Sequence, residues 1–506
     1  MENQIRKYVS DYISDNEINR WNAGDVVAIS AGCGSGKSHF IKNILYEKAK
    51  SQNKKILMLI HRTNCVEQFK IEIENNGKSD VISIKTYQSI ERTIISKGEY
   101  LYDDYAYLVC DEFHYFIEDS NFNCYTDISF DSIINCKGAV KIFMSATGEA
   151  MQDIIQSRCH KKSKLHSYRV PMDFDHIKEL VFYYKNDTTE ALAHKFKKSN
   201  DKAIFFIQSA SEAHTLYRKF SDCSTFLCGK GSEQYYKDVN ETVISNMLTN
   251  ERFEKQFLIC TTCFDAGANI IDPDLHTVVI DVKNVSTLIQ CLGRKRSRAS
   301  DDYLNVYIKA IPNRRINGMS SMRKTALKKA DYLIKNDTQA FLKEYPRDER
   351  IDKFNTALIY DEPLSQKRKN SCTKRVNMMI YEKFKADISE YAEMMQIGYV
   401  KYIARLLHFG YGFNRYYRMH EEGELTEYLQ MLADEKTVML TADDRIQLIE
   451  KMDVKHNRKL IKSEKILNDV LEEKDYPFRI ESFETSRIVD GKKKKYKHAW
   501  RVITVT

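Results

Sequence analysis

The segment Ala31-Gly32-Cys33-Gly34-Ser35-Gly36-Lys37-Ser38 holds the densest chemistry in this 506-residue chain. Its glycines let backbone N–H groups turn inward around a phosphate, and a helix starting at its end adds a favourable dipole. Lys37 is spaced to reach β- and γ-phosphates, and the Ser38 hydroxyl to ligate Mg²⁺. The nucleotide-holding set is therefore Gly32, Gly34, Ser35, Gly36, Lys37 and Ser38, with Ala31 standing where the general pattern has a first glycine. A second cluster is Asp111-Glu112-Phe113-His114. A carboxylate at a strand end can hold the Mg²⁺ that bridges the phosphates, the role read for Asp111. Glu112 is then placed to orient or deprotonate an attacking water. An acidic pair with histidine is common on solvated loops. Its position directly after a buried run sets this one apart.

Those residues need elements to hold them. Short apolar runs at Val26–Ser30, Ile56–Ile60, Val81–Ile84, Tyr105–Cys110 and Val140–Met144 alternate with amphipathic stretches such as Lys37–Lys50 and Asn64–Glu74. Strand–helix alternation of this kind predicts a parallel sheet covered on both faces. The polar, basic stretch Lys161–Asp175, with Pro171, reads as a linker. Alternation resumes at Leu180–Tyr184, Ala203–Gln208, Ser224–Leu227, Gln256–Cys260, Thr277–Asp281 and Leu304–Ile308, which predicts a second α/β domain. Residues 315–475 lack strand-like runs and read as mostly helical. Phe478–Ile488 and Lys497–Thr506 flank Asp490-Gly491, a hairpin signal, so the end is either a winged-helix-like module or a small α+β cap.

Composition bounds the class. With 42% hydrophobic and 30% charged residues the chain reads as globular rather than disordered. It contains no apolar run of about 18 residues, so no membrane span is expected. The opening residues Met1–Arg6 lack the apolar core of a signal peptide, which gives an expectation of a cytoplasmic protein. Among twelve cysteines only Cys260 and Cys263 form a close C-x-x-C pair, with no second pair beside it, so reduced thiols are expected rather than zinc or disulfides. Charge is uneven. Residues 1–310 carry 40 basic against 41 acidic side chains, and residues 311–506 carry 39 against 30. The basic excess of the C-terminal part suits contact with a polyanion, although an ordinary solvated surface would look the same.

Taken in order, these segments resemble superfamily 2 helicases across most of residues 25–300. Asp111–His114 resembles the DExH form of motif II, and Ser145-Ala146-Thr147 matches motif III. His61-Arg62-Thr63-Asn64 resembles motif Ia, and Lys85-Thr86-Tyr87-Gln88-Ser89 the next nucleic-acid-contacting motif. Phe205–Ser209 is similar to motif IV, Thr261–Asn269 to motif V, and Gln290-Cys291-Leu292-Gly293-Arg294-Lys295-Arg296 to motif VI. The resemblance implies an α/β fold of two tandem RecA-like parallel-sheet domains, 1–172 and 173–310, with a mostly helical C-terminal region, 311–506, ending in a β-hairpin. It implies ATP and Mg²⁺ as cofactors and adds Gly267 to the nucleotide site. Catalytic roles fall to Lys37, Asp111, Glu112, Gln290, Arg294 and Arg296, and nucleic-acid contacts to Arg62, Thr86, Gln208 and Thr262. Motif VI departs from the common pattern. Ser297 stands where many members have the second arginine, leaving Arg296 or Arg298 to neutralise the transferring phosphoryl group. No upstream glutamine motif of the DEAD-box type is present. Trp21 either stacks on the base or fills the core.

The reading that absorbs most of these features is an ATP-driven helicase or translocase, with DNA favoured over RNA. An ATP-gated switch or loader that binds nucleic acid and a protein partner without unwinding stands beside it. A small-molecule kinase leaves the second domain and Gln290–Arg296 without a role.

Overall fold

The structure, a computed structural model, describes residues 8–32, 34–61, 63–118, 123–146, 149–159, 163–265, 269–296, 302–346, 358–362, 373–410, 416–419, 423–452, 454–456, 459–474, 476–489 and 492–505. Cys33, Arg62, Thr147, Gly267, Ser297, Arg298 and the Asp490-Gly491 turn lie outside the described residues.

Apolar runs buried on both faces make the first sheet. Its strands are β1 (Val26–Ala31), β2 (Ile56–Ile60), β3 (Ile82–Thr86), β4 (Tyr107–Cys110), β5 (Val140–Ser145) and β6 (Leu165–Val170), in the order β3-β2-β4-β5-β1-β6. All pairings are parallel. Every residue of β2, β4 and β5 is buried, because helices cover both faces. The stretch 165–170, read from its polarity as linker, is instead the sixth strand. It pairs with β1 along its whole length and sits at the sheet edge, where half-exposed side chains are tolerated.

The second sheet is also parallel. Its strands are β7 (Ile177–Tyr183), β8 (Lys202–Ile207), β9 (Ser224–Leu227), β10 (Phe257–Cys260), β11 (Leu275–Asp281) and β12 (Leu304–Lys309). They run β7-β12-β11-β8-β10-β9, and a late segment, Tyr416–Arg418, adds itself beside β7. The fold is the expected one, two tandem RecA-like sheets followed by a largely helical region and an antiparallel hairpin.

The expectation of a strand-free 315–475 fails. Ile359–Asp361 pairs with Lys374–Val376, Lys455–His456 with Lys459–Leu460, and Val438–Met439 joins the terminal hairpin. Pieces of two or three residues have too little sequence to show a period of two, so tertiary pairing decides them. The hairpin itself is longer than its sequence signal. Its strands are Phe478–Val489 and Lys492–Thr504, so the lysine run lies within the second strand.

The C-terminal region packs into the cores of both domains. The helix Met378–Ile397 begins with Met379 in the core of the first domain and ends with Met394 in the core of the second. Asn377, fully buried, caps it. Its Oδ1 accepts from the N–H groups of Met379 and Ile380, and its Nδ2 donates to the Cys124 carbonyl and Thr126 Oγ1. Asn377→Ala removes the cap and strands two acceptors of the first domain, the buried Thr126 hydroxyl and the half-buried Cys124 carbonyl. A loss of about 2–4 kcal/mol is expected, readable as a lowered denaturant midpoint at unchanged slope.

Candidate active site

The phosphate loop leaves β1 at Ala31 and ends where the helix Lys37–His39 begins. Gly34 and Gly36 both sit at φ +79°, the left-handed region that a side chain disfavours. Lys37 Nζ donates across the loop to the carbonyls of Ala31 (2.7 Å) and Gly32 (3.2 Å), and Ser35 Oγ to Gly32 (2.7 Å). The helix continues into a π-helical turn, Phe40–Leu45. Walls close in from both sides. A Cβ built on Gly36 would lie 3.4 Å from the Tyr8 ring, and one on Gly32 would lie 3.0 Å from Met172.

Asp111 and Glu112 follow β4, beside this loop. Glu112 takes φ +56°, a conformation that costs a non-glycine residue about 1–3 kcal/mol and recurs at functional sites. The surroundings hold it there. The Phe113 N–H donates to the Met144 carbonyl at 2.8 Å and its ring is buried, while the Tyr87 hydroxyl donates to the Asp111 carbonyl at 2.7 Å. Tyr87 itself stacks on Tyr115, with ring centres 4.4 Å apart.

Electrostatics separate the two carboxyls. Burial, reinforced by the neighbouring Glu112 charge and opposed by Lys37, pushes Asp111 up to about 6. Burial also raises Glu112, but the His114 hydrogen bond and the charges of His114, Lys37 and Arg294 outweigh it and hold Glu112 below the usual range. Glu112 is thus the more easily ionised of the two, as suits a base, and Asp111 is a carboxyl whose charge a divalent cation would stabilise. Asp111 and the Ser38 hydroxyl are hard oxygen donors, which fits Mg²⁺ better than a softer metal.

The second domain reaches this cluster through the helix Val285–Leu292 and the residues after it. Gln290, 2% exposed, places Nε2 at 3.2 Å from His114 Nδ1, and that same nitrogen is 3.3 Å from Glu112 Oε2. A proton on Nδ1 would point to Glu112; without it, Nδ1 accepts the Gln290 amide. Arg294 is buried, its Nε donating to the Gln290 carbonyl at 3.2 Å. Arg296 crosses to the phosphate loop. A Cβ on Gly34 would lie 2.5 Å from its Nη1, and Asn269 Oδ1 accepts from its Nε at 2.9 Å. So Lys37, Asp111, Glu112, Gln290, Arg294 and Arg296, drawn from two sheets, meet in one cleft.

Residues 4–150, which hold the phosphate loop and Asp111–His114, match the family model described as "Type III restriction enzyme, res subunit". Among solved structures, the chain is similar to S. cerevisiae Dbp5 bound to RNA and ADP BeF3, at 15% identity and a TM-score of 0.43, over 59% of this chain and 83% of that one. The DEAD-box helicase Mss116 bound to ssRNA and UDP-BeF gives 14% and 0.43, over 66% and 82%. The DUF1998 helicase MrfA bound to DNA and AMPPNP gives 14% and 0.43, over 60% and 48%. No curated protein matches the chain.

The remaining expected contacts are dispersed. Thr86 uses its hydroxyl as the N-cap of Tyr87–Lys97, accepting from the Ser89 N–H at 3.2 Å. Exposed Gln208 accepts from the Lys283 N–H at 3.1 Å, and Thr262 opens a 3₁₀ turn. Trp21 is a core residue, its Nε1 donating to the Tyr168 hydroxyl at 3.2 Å, so the base-stacking alternative for it is closed. The aromatic beside the loop is Tyr8, 43% exposed. Its distance in sequence from Gly36 gave no signal, whereas Asn269, which orients Arg296, ends the segment that resembles motif V. No helix among the described residues is long and apolar enough to cross a membrane.

Proposed function

We propose that the chain is an ATP- and Mg²⁺-dependent motor acting on nucleic acid, DNA rather than RNA, in the cytoplasm. The observation that carries this is the composite cleft, where Gln290 touches His114 and Arg296 lies against Gly34. A site assembled from two domains is completed when they close and broken when they part, which couples hydrolysis to movement. In this reading Gly32, Gly34, Ser35, Gly36 and Lys37 hold the phosphates, while Ser38 and Asp111 hold the cation that offsets their charge. Glu112 takes the proton of the attacking water, and Arg294 and Arg296 face the charge that develops on the transferring group. Arg62, Thr86, Gln208 and Thr262 belong to the nucleic-acid track, and the division into 1–172, 173–310 and 311–506 is kept. The test is ATP turnover with and without single-stranded DNA and RNA of one sequence. Turnover that ignores both sinks the proposal.

The Gln290–His114 contact gives a sharper expectation. Gln290→Ala should leave ATP binding intact and reduce the stimulation of turnover by nucleic acid by about 10-fold or more, the scale of one strong hydrogen-bonded contact between the two domains. Steady-state kinetics at saturating ATP read it directly. Full stimulation in Gln290→Ala would show that the contact carries no coupling.

The switch reading retains one support. The C-terminal region buries itself in both domains, as a partner-bearing element must if ATP state is to reach the partner.

A further inference from the structure

The terminal module has its elements in the order helix Gly423–Asp434, strand Val438–Met439, helices Ile446–Met452 and Glu464–Glu473, then the hairpin. Its core takes residues only from the base of that hairpin, Phe478, Ile480, Trp500 and Val502. After Phe483↔Ala499 the register slips, the next pair being Thr485↔Tyr496, so two residues of one strand oppose a single residue of the other. Such a bulge increases twist and re-aims the strands. Beyond it the pairing continues through Ser486↔Lys495, Arg487↔Lys494 and Ile488↔Lys493, and none of these residues is buried. The outer hairpin is therefore a bare two-stranded arm, roughly 17 Å long at about 3.4 Å per residue.

Its charges have an unusual layout. Arg487 and Lys494 oppose each other on one face, and Lys493 and Lys495 share the other, with Glu484 bound to Lys495 at 2.5 Å. Like charges directly opposed destabilise a hairpin, so this pattern works against the arm's own stability. Both faces are basic, whereas a ribbon lying flat on a single strand needs only one. Near the tip Ile488 is 79% exposed. Helix Glu464–Glu473, the element that would otherwise read a groove, is acidic through Glu464, Asp469, Glu472 and Glu473 against Lys465. It is turned toward the second domain, lining a cavity of about 830 Å³ with Arg314 and Lys401, and Glu473 accepts the Asn313 N–H at 2.8 Å.

We infer that the arm inserts tip-first into the major groove of double-stranded DNA, with Arg487 and Lys494 facing one wall of phosphates, Lys493 and Lys495 facing the other, and Ile488, opposite Lys493 on that second face, lying deepest of these residues in the groove. A two-stranded ribbon fits a B-form major groove about 12 Å wide, while the A-form groove of duplex RNA is too narrow and deep for it. This names the duplex ahead of the motor as DNA and rests on the nucleic-acid reading above.

The test uses the full chain, a blunt 20-base-pair DNA duplex, the RNA duplex of the same sequence, and a single-stranded DNA 20-mer. Wild type should bind the DNA duplex about 10-fold or more tighter than the RNA duplex. The variant Arg487→Gln/Lys493→Gln/Lys494→Gln/Lys495→Gln should lose that preference, and its log–log salt slope should fall by about 3–4, near 0.9 per phosphate contact. Single-strand-stimulated ATP turnover should stay within about twofold, and the melting temperature should hold or rise as repulsion is relieved. Ile488→Asp should weaken duplex DNA binding at an unchanged melting temperature. Equal binding of the two duplexes by wild type, or an unchanged slope in the variant, overturns the inference and leaves the arm to an acidic protein surface. Absence of single-strand stimulation in wild type would instead remove the motor reading itself.

Discussion

Lys37→Ala is expected to lower ATP turnover by about 10²–10³-fold, the scale of losing one charge-stabilising donor at a reacting phosphate. Glu112→Gln should reduce it by about 10²–10⁴-fold, the usual contribution of a positioned general base. The two should differ in binding. Lys37 spans the phosphate loop, so its loss weakens nucleotide affinity as well. Glu112→Gln keeps Asp111 and Ser38 for the cation and should bind ATP at least as well as wild type. Removing the Glu112 charge also relieves the repulsion that helps to raise Asp111. Nucleotide affinity by fluorescence titration, paired with single-turnover hydrolysis, separates these effects. Glu112→Gln with wild-type hydrolysis would return the base role to another group.

Arg296→Ala carries the other large effect, about 10³–10⁵-fold in turnover if its guanidinium neutralises the transferring phosphoryl group. Arg296 is the residue taken for this role because its Nη1 lies against Gly34 and Asn269 Oδ1 accepts from its Nε, while Arg298 lies outside the described residues. Asn269→Ala should then reproduce part of the loss by freeing the guanidinium, with no change in its charge. Arg298→Ala should act mainly on nucleic-acid affinity. Hydrolysis rates for the three variants rank them, and a larger loss in Arg298→Ala would move the charge-stabilising role two residues along.

Much of this site was legible because phosphate chemistry is local. A glycine-rich turn, a lysine and a hydroxyl must follow one another, and acidic ligands must sit at the end of a buried strand, so Gly32–Ser38 and Asp111–Glu112 announce themselves. The strands β2, β4 and β5 were legible for a related reason, since burial on both faces leaves an unbroken apolar run. Edge strand β6 was not, because Leu165-His166-Ser167-Tyr168-Arg169-Val170 buries only part of one face and reads as a polar connection. Trp21 and Tyr8 show the same limit for side chains. Each is an aromatic upstream of β1, and only long-range packing puts Trp21 against Tyr168 and Tyr8 against Gly36. Thr86 and Gln208 illustrate a further loss, since motif resemblance does not reveal that a hydroxyl caps a helix or that an amide closes a loop.

The helix Met378–Ile397 has a mechanical consequence. Twenty residues of α-helix make a rod about 30 Å long that resists stretching, and its two ends are set in different cores. Plates pinned to opposite ends of such a rod can swivel but cannot be drawn apart along it. In the proposed cycle, a stroke that opens the cleft would then follow an arc whose radius this helix sets. Cutting the chain after residue 310 would remove the pin along with the tail, leaving two loosely tethered halves whose nucleotide cycle has no lever to work against.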